Sequence, residues 1–132
     1  MRVSSIVMRD IPYEITMMNF NETTEFQKDC KRLQKKYLSL ENDIDEFKNI
    51  ISFMPLGHSK HFNIITQVDT VYIVKARLFC LYLKGSSMRI IYAFHKKEQR
   101  IEFIELYSKV NKENEDRKRI ATYLSKYIHS ST

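Results

Sequence analysis

The segment "VYIVKAR" (Val71 to Arg77) sets Lys75 and Arg77 two residues apart, and "MRIIY" (Met88 to Tyr92) adds Arg89. Both segments are rich in β-branched and aromatic residues and read as strands. Side chains alternate across a strand, so Lys75 and Arg77 share one face while Val74, Ala76, Leu78 and Cys80 take the other. On the next strand Arg89 points away from Met88, Ile90, Tyr92 and Phe94. On the last, Glu105, Tyr107 and Lys109 share a face, with Ile104 and Leu106 opposite. The cations then gather on the face that a helical layer leaves open. The plainer reading is an ordinary sheet with one wet face. Like charges this close repel, however, and alternating Lys and Glu would serve solubility better. Set among Tyr72, Tyr82 and Tyr107, the cluster suits phosphate oxygens, which a guanidinium fork grips, and unstacked bases, which aromatic faces accept.

The charge distribution points the same way. Residues 1–70 hold nine Lys/Arg against ten Asp/Glu, and residues 71–132 hold thirteen against six, so the second half carries all of the net +6. A concentrated positive field favours a polyanion or an acidic partner. With 132 residues, 43% hydrophobic and only 2 Gly and 2 Pro, the chain fits one self-sufficient domain. Residues 13–128 are expected to form it, residues 1–12 to be an extension and residues 129–132 a tail. Met8 or Met17 serves as well as Met1 for a start. No apolar run reaches membrane-spanning length, and no secretory signal is visible. Cys30 and Cys80 do not make a disulfide framework and are read as reduced thiols of a cytoplasmic protein.

The elements that must position the cations follow from periodicity. Tyr13 to Phe20 reads as a first strand. Thr24 followed by Gln27 matches a capping box and opens a helix of about four turns with Phe26, Cys30, Leu33 and Tyr37 on its apolar stripe. Ser39 is placed to cap a second helix, whose stripe is Leu40, Ile44, Phe47, Ile51 and Met54 and which Pro55 ends. The short link makes the two an antiparallel hairpin. Leu56 to Thr70 is a long connection with room for an extra short strand. Three strands follow, Val71 to Leu83, Met88 to His95 and Ile101 to Lys109, joined by turns short enough to force antiparallel neighbours. A last helix is expected from near Glu113, with Ile120, Tyr123, Leu124, Tyr127 and Ile128 on its apolar face. The expectation is an α+β fold in the order β-α-α-β-β-β-α, a small antiparallel sheet with the helical hairpin on one face and a final helix at its edge or end.

At these residues the chain resembles the RelE/ParE superfamily, the toxins of bacterial toxin–antitoxin operons. "YIVKAR", "MRIIYAF" and "IEFIELYSKVNKENED", in that order, are similar to a RelE-like subgroup, and "FQKDCKRLQKKYLSLENDIDEF" is similar to its helical hairpin. The resemblance implies a microbial-ribonuclease-like fold. It also implies cleavage of mRNA in the ribosomal A site, without cofactor or metal, by attack of a 2′-hydroxyl on the adjacent phosphate. That chemistry needs a base, cations for the phosphorane charge and an acid for the leaving oxygen. Carried over, Lys75 matches a lysine that acts as base or charge stabiliser, and Arg89 an arginine on the scissile phosphate. Arg77 matches a basic position of the same strand. Tyr107 or Lys109 stands where the leaving group could be helped. Lys84, Lys96 and Lys97 in the turns, with Tyr72 and Tyr82, are expected to bind RNA. The implied partners are a cognate antitoxin, mRNA on the ribosome and, only through the antitoxin, operator DNA; no membrane is implied.

The chain also departs from that pattern. Ile73 and Val110 stand where the ribonuclease set is basic, and a late tyrosine has no secure counterpart beyond Tyr123 or Tyr127. A ParE-like inhibitor of DNA gyrase without nuclease activity, and a non-catalytic member acting only in an antitoxin and DNA repressor complex, therefore stay open. His95 is expected at a turn, exposed to solvent. His58 and His61 lie in the long connection without the partners a metal site needs, and His129 lies in the tail.

Overall fold

The computed structural model describes residues 17–57, 59–83 and 87–129. Most of the expected first strand, the residues before Met17, His58 and Lys84 fall outside them. The element order is β1 (Asn19–Glu22), α1 (Thr24–Gln34), α2 (Leu40–Phe53), β2 (Phe62–Val68), β3 (Val71–Leu78), β4 (Met88–His95), β5 (Arg100–Ser108) and α3 (Arg117–His129). One sheet runs in the order β1-β5-β4-β3-β2. β1 lies parallel to β5, and the other neighbours are antiparallel. The long connection thus contributes a full strand, and the sheet is mixed at its β1 edge.

The helix signals shift by small, physical amounts. α1 is capped by Thr23, whose Oγ1 accepts from Phe26 N at 3.1 Å, one residue before the expected cap, and it runs 11 residues. Ser39 stands at the N-cap of α2, but its hydroxyl donates to Asp43 Oδ2 at 2.6 Å instead of capping a backbone N–H. α3 begins at Arg117, later than expected, because Asp116 caps it and is itself held to β5. Glu105 Oε1 accepts from Asp116 N at 2.8 Å, and Asp116 Oδ1 accepts from Arg119 N at 3.0 Å.

The sheet has a core on each face. Phe26, Leu33, Leu40, Ile44, Phe47 and Ile51 of the helical hairpin cover Val74, Ala76, Leu78, Ile90, Tyr92 and Phe103. On the other face, Ile120, Tyr123 and Leu124 of α3 cover Val71, Ile73, Ile91, Ala93, Ile104 and Tyr107. The cation face is therefore not left open along its whole length, as alternation alone suggested. α3 seals one end of it.

Ile104 also departs from the expected alternation. Ile91 pairs with Glu105 but Tyr92 with Phe103, so Ile104 is the extra residue of a β-bulge. It joins the α3 side. Its carbonyl accepts from Arg119 Nη1 at 2.8 Å, and Asp29 Oδ2 accepts from Arg119 Nη1 at 2.7 Å and Leu106 N at 3.0 Å. A partly buried ion pair thus clamps α1, the bulge and α3 together.

Gly57 positions β2. Its φ of +72° suits glycine, and a Cβ there would overlap the Phe62 ring. That ring stacks on Phe47 of α2 with centroids 6.0 Å apart.

Candidate functional site

The backbone pairing brings the cations together at the end of the sheet that α3 leaves uncovered. Arg77 and Arg89 are direct cross-strand partners, and Arg89 in turn pairs with Tyr107. Lys75 precedes Arg77 by one side-chain repeat on the same face, and Lys109 follows Tyr107 by one. The result is a cleft of about 200 Å³ lined by Lys60, His61, Asn63, Lys75, Ala76, Arg77, Arg89 and Lys109. It opens into a groove of about 860 Å³ between α2 and the sheet, where Phe62, Phe79, Phe47 and Ile50 supply an apolar wall and Asp43 and Glu46 lie across from His61, Arg77, Arg89 and Lys109.

The cations differ in how they are held. Among the described residues, Arg77 and Arg89 form no ion pair. Arg89 Nη1 donates to Ser87 Oγ and, at 3.4 Å, to Met88 O. Partial burial and the neighbouring Arg77 both depress its pKa, the mark of an uncompensated positive site. Lys109 Nζ donates to Glu113 O at 2.7 Å, a neutral acceptor. Lys75 is different: its Nζ donates to Glu115 Oε1 at 2.9 Å, and that carboxylate is almost wholly buried. Burial pulls the Lys75 pKa down, but the Glu115 hydrogen bond and charge and the neighbouring Tyr107 outweigh it, and the net shift is upward. The lowered pKa that a base role needs is absent, because the acidic partner counts for more than burial.

Tyr107 lies beneath this cleft, 3% exposed, and its hydroxyl meets no partner at hydrogen-bonding distance and angle. Burial raises its pKa despite the opposing charge of Lys75. Lys112 crosses its ring at 5.4 Å and pairs with the buried Glu105. The segment between β5 and α3 is thus latched to the sheet beside the cleft.

Other expected positions lie elsewhere. Tyr72 takes the helical-hairpin face and stacks on Phe94 at 6.3 Å, because its even number puts it with Val74. Tyr82 is exposed in the turn after β3, with its N–H donating to Ser39 Oγ at 3.3 Å. Lys96 and Lys97 sit in the β4–β5 turn, roughly 20 Å along the strand from Arg89. Ile73 is fully buried under α3, and Val110 is 62% exposed past Lys109. Cys30 and Cys80 are free thiols.

His95 overturns its expectation of exposure. It is 2% exposed, and its Nε2 lies 2.6 Å from Tyr123 Oη, whose proton reaches Glu102 Oε1 at 2.8 Å. Burial and the nearby Arg100 lower its pKa. This group anchors α3 at the sealed end of the sheet, so Tyr123 and Tyr127 stand with His95 and away from the cations. His129 is the last residue of α3.

Sequence reasoning missed His61 and Glu115. The turn that enters strand β2 brings His61 to the cleft, where its carbonyl accepts from Arg77 N at 3.0 Å. Glu115 sits in a short acidic run with Glu113 and Asp116, ahead of Arg117 to Arg119, and nothing local marks it as the partner of Lys75. Among the described residues no group of three or more His, Cys, Asp or Glu gathers as a metal site, and no helix is long and apolar enough to cross a membrane.

A mixed sheet with a helical hairpin on one face, a C-terminal helix on the other and cations at the uncovered strand ends defines an α+β fold of the RelE kind. The chain is similar to a solved archaeal RelE–RelB complex from Pyrococcus horikoshii OT3, with a TM-score of 0.54 and 19% identity over 70% of this chain and 96% of that chain. No protein-family model matches the chain, and no curated protein does.

Proposed function

We propose that the chain is the toxin of a toxin–antitoxin pair and cleaves mRNA, on the ribosome, by metal-independent attack of a 2′-hydroxyl on the neighbouring phosphate. The observation that carries this reading is the meeting of Lys75, Arg77, Arg89 and Lys109 in one cleft at the end of a RelE-like sheet. Two adjacent guanidinium groups without a carboxylate partner are costly to keep together, and a bound phosphate relieves that cost. In this reading Arg89 and Arg77 take the non-bridging oxygens and stabilise the phosphorane as its charge grows. Lys75, held as an ammonium by Glu115, adds positive charge, and Lys109 adds a second ammonium to the lining. The apolar groove beside them accepts a splayed base against Phe79, which is 72% exposed.

The partner complexed with the archaeal RelE supports an antitoxin here as well. In this reading the antitoxin acts in the cytoplasm, covers the cleft and links the chain to operator DNA. A second reading, a ParE-like gyrase inhibitor, is favoured by one observation: Ile73 is core and Val110 is apolar, so two basic positions of the nuclease set are missing. Primer extension on cellular mRNA after induction separates the two. New cuts at A-site codons are the expected outcome. Intact mRNA with DNA damage would sink the nuclease in favour of the second reading.

A further inference from the structure

We propose that His61 is the general base of the cleavage, a role that rests on the ribonuclease reading above. The reaction must lose a proton from the 2′-hydroxyl, and the cleft offers few acceptors. Of its lining residues, Lys60, Lys75, Arg77, Arg89 and Lys109 are cations, and Asn63 and Ala76 accept no proton. Lys75 is pinned as an ammonium by the ion pair to Glu115. Tyr107 is buried, and burial favours its neutral hydroxyl. Of the acids in the adjoining groove, Asp43 is occupied by Ser39 Oγ and Leu81 N, and Glu46 lines the groove without reaching the cation cleft.

His61 lines both the cleft and the groove, so it stands where they join. Its backbone is fixed to β3 by the hydrogen bond from Arg77 N. Phe62, the next residue, is locked between Gly57 and Phe47. Its imidazole is exposed to an incoming strand, and imidazole is the side chain that ordinarily exchanges protons between about pH 5 and 8.

The step balances as follows. The 2′-proton passes to a free ring nitrogen of His61, the 2′-oxygen bonds to phosphorus, and the bond from phosphorus to the 5′-oxygen breaks. The 5′-oxygen takes a proton from water, and the hydroxide left behind deprotonates the imidazolium. The products are a 2′,3′-cyclic phosphate and a 5′-hydroxyl.

The test is single-turnover cleavage of mRNA on programmed ribosomes by the full chain, from about pH 5 to about pH 8. The wild-type rate is expected to climb through the imidazole range and level off. His61→Gln is expected to be slower by about 100-fold or more, with the climb gone. Binding of a message carrying a 2′-deoxy nucleotide at the cut should be unchanged. His61→Gly with added imidazole should recover part of the rate, a rescue that a structural role would not show. If His61→Gln cleaves within about threefold of wild type, or keeps the same climb, His61 is not the base, yet the ribonuclease reading stands. If the wild-type chain makes no cut, both fall together.

Discussion

At the scale of single residues, the cleft separates groups that bind phosphate from groups that hold the binders in place. Arg89 has no acidic partner among the described residues and lies at the sheet end away from α3. Arg89→Ala is expected to abolish growth inhibition while shifting stability by less than about 0.5 kcal/mol, as measured by chemical denaturation. Unfolding of that variant would mark the residue as structural. Glu115 is the reverse case. It is 8% exposed and pairs with Lys75 and Arg117, so Glu115→Gln leaves a half-buried ammonium without its counter-ion. The expected loss is about 2 kcal/mol near neutral pH. Burial raises the Glu115 pKa, but the hydrogen bond and charge of Lys75 and the charge of Arg117 lower it further, to a net value below its ordinary 4.5. A depressed carboxyl contributes its full stability above that ordinary value and loses it as pH falls through the folded value. The Lys75 shift is upward from 10.5, so its contribution is complete below that pH and fades only in more alkaline solution. The gap between wild type and Glu115→Gln, followed by denaturation across pH, should therefore be widest between these limits and close in acid.

At the scale of elements, β2 and the bulge in β5 decide what reaches the cleft. β2 is placed by the packing of Phe62 into the space a side chain at Gly57 would fill. Gly57→Ala combines a strained φ with that overlap and is expected to cost about 2 kcal/mol, read as a lower denaturation midpoint with an unchanged slope. The strand itself was half legible. "FNIITQV" precedes Asp69-Thr70, but its polar residues, Asn63, Thr66 and Gln67, blur the alternation at an edge where one side faces water. The bulge was not legible at all. Its extra residue is fixed by Asp29 and Arg119, 90 positions apart, and no local pattern reports a contact of that range.

At the scale of the whole molecule, the excess charge of the second half becomes a directed site only because the β3–β4–β5 register turns its cations toward one end. If four of them engage phosphates, log affinity for single-stranded RNA should fall with log salt at a slope of about −3. Arg89→Ala should reduce that slope by about 0.7, and filter binding across a salt series measures both. A slope near zero would show that the cleft does not grip a polyanion. The cations in the β4–β5 turn, Lys96 and Lys97, lie at the far end and should leave it unchanged.

The amino-acid sequence by itself determined the helical hairpin, the three consecutive antiparallel strands and the shared face of Lys75 and Arg77. Each is a local consequence of periodicity, short turns and two-residue alternation. Tertiary structure alone decided that α3 seals half of the cation face, that His95 is buried, that Glu115 holds Lys75 and that His61 arrives on the turn into an added strand. Those outcomes depend on which distant segments pack against one another, and a side chain's protonation and exposure follow the partners it acquires there, not its neighbours along the chain.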